Sequence, residues 1–483
     1  MEASLDNLIE RARIVQERVA NVDACYRARC YTDENYVAMR LRSMLSDKPD
    51  VLRGAAKTID EIEREQGIEY APLQRRAVEL AAEEQLLILT GGPGTGKTTS
   101  VRAILTLFER MGLDVLLAAP TGRAAKRMGD VCGRDAQTIH RLLGMSWDER
   151  TGEVKFQKDE SDPLKADAVI VDETSMVDLA LMRAFLAALP RGCRLVLVGD
   201  PDQLPSVGAG NVFSDLIRSA RVQTVALTEV FRQAKQSAII RSAHAVNEGR
   251  PPETRNAATD DFFFLPRRDS ARLVDTVVEL CKTRLPEKMG IPAAEIQVLT
   301  PTRKGATGTA ALNRALQAAL NPPADGKRER AFGDAVFREG DRVMQTRNDY
   351  DVVWERADGT AGTGVFNGDV GRILQIDPSG ELLTIAFDDR VATYTVDMLA
   401  ELDMAYAMTV HKSQGSEYRG VIFVSAPCAA ALEVRGVLYT AITRARELLI
   451  VVGDDSTLRR MAENDRRQRR YSALRWRLAR PDE

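Results

Sequence analysis

The sequence predicts an α/β protein with two parallel-sheet units, and three patterns carry that reading. Short apolar strands alternate with helical stretches between residues 86 and 200. A second set of such strands lies at 296–302, 420–426 and 447–453. Within that second set, residues 335–397 switch to brief alternating strands broken by Gly, Asp and Pro-Ser-Gly turns. Strands separated by helices form parallel sheets, because each crossover helix covers a sheet face. Closely spaced short strands with turn residues between them predict a small antiparallel barrel instead.

At about 100–200 residues per domain, a chain of this length makes about two to four domains. Its 44% hydrophobic and 28% charged residues are ordinary for a soluble globular protein. A net charge of −3 argues against a histone-like partner but leaves room for a local basic groove. No run of 18 apolar residues occurs, so no membrane span is expected. The opening "MEASLDNLIERARIV" is acidic, then amphipathic, and lacks the apolar core of a signal peptide. Six cysteines are scattered without a CxxC pair, which predicts a reduced, cytoplasmic setting and no zinc site.

Taken in order, residues 1–68 are expected to be a helical region. Leu5, Leu8, Ile9, Ala12, Val15 and Val19 fall on one helical stripe, and "ENYVAMRLRSML" and "AAKTIDEIEREQGI" predict two more helices. The first α/β unit is expected over 69–235, with strands "LLILT", "VLLAAP", "DAVIVDE" and "RLVLVGD". Inside it, turn residues and the "EVKF" run predict a β-hairpin insertion at 144–163. The second unit is expected over 236–339 and 398–483, with the barrel inserted at 340–397. The tail 457–480 carries nine Arg against two acids. It reads as a solvated helix packed on the second unit, or as a contact to nucleic acid or a partner.

Gly91-Gly92-Pro93-Gly94-Thr95-Gly96-Lys97-Thr98 matches G-x-x-x-x-G-K-[ST] between a predicted strand and a predicted helix. In that context glycines let backbone N–H groups close around phosphate oxygens at a helix N-terminus. Lys97 would reach the β- and γ-phosphates of a nucleotide and Thr98 would hold Mg²⁺. The strand "VIVDE" ends in two carboxylates: Asp172 to bind Mg²⁺, and Glu173 to orient and deprotonate a water. Gln203, after another apolar strand, would place an amide near the γ-phosphate.

Further blocks follow the same order as a known family. "LTGGPGTGKT", "APTGRAAKRM", "AQTIHRLLG", "VIVDETSMVD", "GDPDQLPSVGAGNVF", "LTEVFRQA", "VLTPTRKG", "VFNGDVG", "AYAMTVHKSQGSEY" and "LYTAITRARELLIVVG" span about residues 70–455. The chain thereby resembles superfamily 1 helicases, most closely their RecD-like branch (superfamily 1B). The resemblance implies two RecA-like P-loop NTPase lobes, ATP and Mg²⁺ as ligands, and an SH3-like barrel at 340–397. It implies that the hairpin is a strand-separating pin and that movement on single-stranded DNA runs 5′ to 3′.

It also implies roles for particular residues. Gly92, Gly94, Thr95, Gly96, Lys97, Thr98 and Thr99 would hold the nucleotide, Gln74 would read adenine, and Glu417 would accept from the ribose. Arg444 and Arg232 resemble arginine fingers, which stabilise transition-state charge on the γ-phosphate. Pro120, Thr121, Arg123, Thr138, His140, Thr302, Arg303, Thr409 and Ser413 would face DNA, and Gln414 would lie at the lobe interface. Contacts of this kind reach phosphates and read no sequence. Read by themselves, Arg123 and Arg303 are also compatible with solvated helix charge, and His411 reads first as a structural histidine. The expected activity is an ATP-dependent DNA helicase acting as a monomer on single-stranded and 5′-tailed DNA in repair or recombination. The alternative is an ATP-gated DNA-binding subunit of a larger complex that unwinds little alone; an RNA helicase of the same superfamily is a third reading. A repair or recombination protein is a possible partner in either DNA reading.

Overall fold

A computed structural model describes residues 2–47, 49–50, 52–148, 153–231, 236–257, 260–466 and 470–480. The chain divides into two compact units: 1–120, 124–231 and 468–483 in the first, 121–123 and 232–467 in the second.

Among the described residues the first unit holds a six-stranded parallel sheet. Its strands lie in the order Gln223–Leu227, Leu86–Gly91, Arg194–Gly199, Ala168–Val171, Val115–Ala119, Ala136–Thr138. Both faces are covered, which is why the strands are near-continuous apolar runs. Alternate residues serve alternate faces. Leu86, Ile88, Val169, Val171, Leu195 and Leu197 enter one core, beside helices Ala28–Ser46, Leu179–Ala188 and Val212–Ser219. Leu87, Leu89, Ala168, Ile170, Val196 and Val198 enter the other, beside helices Ala55–Gln66, Pro72–Glu83 and Lys97–Arg110.

Two expectations for this unit are corrected. The predicted first helical stripe breaks after helix Glu2–Glu10: Ile14–Val19 and Val22–Arg27 form an antiparallel hairpin. Ala20 and Asn21 turn it with positive φ of 46° and 67°. A two-residue turn of that hand matches strand twist, and Ile14, Val15 and Val19 are β-branched, so extended backbone suits them better than helix. The other correction concerns the second half of the arginine-rich tail; the first half, helix Asp455–Glu463, lies in the second unit as expected, with Leu458, Met461 and Ala462 buried. Helix Leu474–Ala479 belongs to the first unit, not the second. Leu474 and Leu478 are buried in its core. The buried carboxylate of Glu34 accepts from Arg477 Nε at 2.9 Å, Ser472 Oγ at 3.0 Å and the Ala473 N–H at 3.1 Å.

The predicted hairpin insertion is present: Met145–Asp148 pairs antiparallel with Glu153–Phe156. Residues 149–152, its tip, lie outside the described residues.

The second unit holds a five-stranded parallel sheet among the described residues, ordered Phe262–Pro266, Ala445–Gly453, Tyr418–Ser425, Ile296–Thr300, Ala407–Thr409. Residues 342–404 leave it to form a seven-stranded antiparallel sheet around Val343, Trp354, Ile373, Ile385, Phe387 and Tyr394. Its last strand, Leu402–Met404, lies beyond the expected boundary at 397. No helix among the described residues is long and apolar enough to cross a membrane.

Removing one partner of a buried ion pair leaves an uncompensated charge, which costs about 3–5 kcal/mol. Glu34→Ala is therefore expected to release the tail helix from the first unit. Amide hydrogen exchange at 470–480 should accelerate sharply while the sheet strands stay protected. Unchanged protection of 470–480 would contradict the anchoring.

Candidate active site

In the first unit three loops leave the carboxyl edges of three neighbouring parallel strands. In register, Thr90 lies beside Gly199, and Leu197 beside Val171. The chain beyond these strands supplies the glycine-rich loop, the Asp200–Gln203 turn and Asp172-Glu173 respectively. Clefts outside the carboxyl ends of parallel strands are where α/β sheets place ligands.

The glycine-rich loop is shaped for an anion. Gly94 and Gly96 have φ of 73° and 80°, a region other residues enter at a cost. Gly96 is the N-cap of helix Lys97–Arg110 and gives it no side-chain cap, so the first-turn N–H groups point at the loop. Thr95 Oγ1 donates to the Gly92 carbonyl at 2.9 Å and is buried. Lys97 Nζ donates to the carbonyls of Gly91 and Gly92, the latter at 3.2 Å. Thr98 and Thr99 are exposed on the first turn. Gln74 is buried beside the loop: its Oε1 accepts the Ala71 N–H at 3.1 Å and its Nε2 donates to the Gly96 carbonyl at 3.3 Å.

Asp172 and Glu173 concentrate negative charge. Burial, and then the adjacent Glu173, raise the Asp172 carboxyl above the usual carboxylate range, while Arg127 and Lys97 pull it down. Arg127 Nη2 reaches both carboxylates, Asp172 Oδ2 at 3.4 Å and Glu173 Oε1 at 3.2 Å. Glu173 is buried and takes a left-handed conformation with φ of 51°. Strained backbone of this kind is held in place by surrounding structure and concentrates at functional sites. Carboxylate and hydroxyl oxygens are hard donors, and two neighbouring acids offset in part by one guanidinium suit Mg²⁺. Asp172 and Thr98 would hold it, and it would supply charge neutralisation at the phosphates. Gln203 lies on the third loop, its Nε2 3.5 Å from Asp200 Oδ2.

Arg127 and Phe231 went unread as site residues. Both stood inside recognised blocks, one helical turn after Arg123 and one residue before Arg232. Phe231 packs beside Gly96, and its N–H donates to the Gly94 carbonyl at 3.4 Å. Arg232 itself lies outside the described residues.

Of the residues expected to face DNA in this unit, Pro120 ends the strand Val115–Ala119. Thr138 is buried, and its hydroxyl accepts the Arg141 N–H at 3.1 Å as the cap of helix Ile139–Leu142. His140 stacks at 6.3 Å on Phe156 at the base of the hairpin, and burial lowers its pKa.

In the second unit Thr409 sits in register with Thr300, so the Thr302 and Thr409 segments emerge at one sheet edge. Thr409 Oγ1 accepts the Lys412 N–H at 3.4 Å. Thr302 Oγ1 donates to the Lys304 carbonyl at 3.3 Å, and Arg303 pairs with Asp403 at 3.0 Å on the surface. Ser413 is fully buried in this structure and donates to the Val410 carbonyl at 2.8 Å. Gln414 is buried and Glu417 exposed. Thr121 and Arg123 group with this unit, and Arg123 Nη1 donates to Tyr418 Oη at 3.0 Å.

Arg444, expected to reach a phosphate, is 1% exposed. Its guanidinium donates to the Ser416 carbonyl at 3.0 Å, the Thr440 carbonyl at 3.2 Å and Thr443 Oγ1 at 3.2 Å. In this arrangement it braces the turn that carries Glu417.

A model described as an AAA domain matches residues 69–263. A model of the ATP-dependent RecD-like DNA helicase SH3 domain matches 312–387, and one of the UvrD-like helicase C-terminal domain matches 404–452. The chain is 39% identical over 401 residues to the ATP-dependent RecD2 DNA helicase of Deinococcus radiodurans, covering 83% of this chain and 51% of that one. It thus spans about half the length of that relative. It is 33% identical over 500 residues to the RecBCD enzyme subunit RecD of Mycobacterium tuberculosis, covering 94% of this chain and 80% of that one. Among solved structures, Bacteroides Pif1 bound to single-stranded DNA is similar at a TM-score of 0.46 and 20% identity, covering 80% of this chain and 92% of that one.

A methyl group on Gly96 would meet Gln74 Nε2 and lie 2.7 Å from Phe231 Cε2, on backbone that disfavours any side chain. Gly96→Ala is expected to weaken binding of a fluorescent nucleotide by about tenfold or more, since about 1–2 kcal/mol of strain falls on the phosphate loop. Unaltered affinity in a folded variant would contradict the cradle.

Proposed function

Since the chain belongs to the RecD-like family of superfamily 1 helicases, we propose that it hydrolyses ATP to move along single-stranded DNA and to part duplex. The observation that carries this is the convergence of Lys97, Gln203 and Asp172-Glu173 on neighbouring strand edges of one sheet. Lys97 and the loop amides bind the phosphates, Glu173 takes a proton from the attacking water, and Gln203 contacts the terminal phosphate. Thr98 and Asp172 would hold Mg²⁺, which would supply charge neutralisation at the phosphates. Arg127 orients the two carboxylates before nucleotide arrives. Gln74 and Glu417 are assigned to the base and ribose, and Arg232 and Arg444 to the transition-state charge. For Arg444 that role requires giving up its carbonyl partners.

Thr121, Arg123, Thr302, Arg303 and Thr409 are assigned to DNA phosphates, which makes binding sequence-independent and salt-sensitive. Movement is assigned the 5′ to 3′ direction, with the hairpin 145–156 as the separating pin and the protein acting in the cytoplasm as a monomer. The likeness to a RecBCD subunit favours a second reading, in which the motor serves a larger assembly in repair or recombination.

Duplexes carrying a 5′ or a 3′ single-stranded tail separate these readings. The isolated chain with ATP is expected to unwind the 5′-tailed duplex and leave the 3′-tailed one paired. DNA-stimulated hydrolysis without strand separation would favour the subunit reading. Absence of DNA-stimulated hydrolysis would overturn both.

A further inference from the structure

The chain returns to the first unit at its carboxyl end and grips the loop that carries Gln203. Arg470 Nη1 donates to the Gly210 carbonyl at 2.7 Å, to Ser206 Oγ at 3.1 Å and to the Gly208 carbonyl. Its Nη2 donates to the Ser206 carbonyl. One guanidinium thus spans alternate carbonyls of a single loop, from more than 250 residues away in sequence, as the separations of 260 to 264 show.

These four bonds end on carbonyls and a hydroxyl, none on a carboxylate. A cation taken partly out of water and held by carbonyl dipoles is stable only while those dipoles point at it. Loop and guanidinium therefore specify one another's position. Asp178, which caps helix Leu179–Ala188, favours the charge from nearby. The loop is held further by the Ala209 carbonyl, which accepts the Leu179 N–H at 2.9 Å, and by the Asp200 side chain, which accepts the Asp202 N–H at 3.0 Å. The gripping segment is itself fixed, because Glu34 binds Ser472, Ala473 and Arg477, and Leu474 and Leu478 are buried.

We propose that Arg470 is a positioning residue for Gln203, fixing the loop so that the Gln203 amide is held toward the terminal phosphate. The inference rests on the reading of this site as an ATPase. It places a determinant of turnover in an arginine-rich tail that otherwise reads as solvated charge. Because the loop would act on the chemical step and not on ground-state binding, loss of the grip lowers kcat and spares KM.

The test is steady-state DNA-stimulated ATP hydrolysis by the full chain, its Arg470→Met variant and its Arg470→Lys variant. Arg470→Met is expected to lower kcat about tenfold or more while KM for ATP stays within about twofold, a size consistent with loosened positioning of a catalytic group. Arg470→Lys should fall between, since an ammonium can occupy the carbonyl nest but lacks the planar fork. A purely structural contact would lower the unfolding midpoint and leave kcat per folded molecule unchanged, which overturns the proposal. If Arg470→Met does not fold, Arg470→Lys decides: reduced kcat at constant KM supports the inference, and wild-type kcat overturns it. A wild-type chain without ATPase activity removes the ATPase reading together with the inference, and is distinguishable from an active wild type matched by its variants.

Discussion

A parallel sheet covered on both faces has only its edges left for chemistry, and this constraint organises each unit. In the first, alternate side chains of Leu86–Gly91, Ala168–Val171 and Arg194–Gly199 are consumed by two cores. Polar groups can then appear only where the strands end, and three neighbouring strands end in the glycine-rich loop, the paired carboxylates and the Gln203 loop. The second unit repeats the arrangement with Ile296–Thr300 and Ala407–Thr409, whose ends carry the Thr302 and Thr409 segments. Sheet topology, set by apolar packing, brings together residues more than a hundred positions apart.

The cations at these edges share a condition: each is held on protein oxygen. Lys97 rests on the carbonyls of Gly91 and Gly92, Arg127 on Asp172 and Glu173, and Arg444 on the carbonyls of Ser416 and Thr440. Carbonyl partners, unlike the carboxylates on Arg127, satisfy a desolvated charge without neutralising it, so a phosphate can compete for the same donors. Nucleotide binding at Lys97 would then be an exchange of partners. The difference between carbonyl and phosphate acceptors is the differential interaction that any ligand-driven change of state requires.

The sequence was most legible where spacing is dictated by chemistry. The phosphate loop needs glycines at Gly94 and Gly96 because of their backbone angles, and the strand before it and the helix after it follow from apolar periodicity. It was least legible where tertiary context overrides local pattern. Val15 and Val19 fit a helical stripe by spacing, and their β-branching together with the Ala20-Asn21 turn decides for a strand. Ser413 reads as an available hydroxyl, yet it is fully buried and bonded back to the Val410 carbonyl. Arg470 and Arg477 lay among similar arginines, and nothing local distinguishes a buried guanidinium from a solvated one. Their roles depend on Glu34 and on the loop at 206–210, which the chain approaches only after folding.

The central claim is that Lys97 and the loop amides are poised for a triphosphate. It is tested most directly by a crystal structure with a non-hydrolysable ATP analogue and Mg²⁺. Lys97 Nζ should leave the Gly91 and Gly92 carbonyls and lie within about 2.7–3.2 Å of a phosphate oxygen. Phosphates bound elsewhere, with Lys97 still on those two carbonyls, would contradict the account.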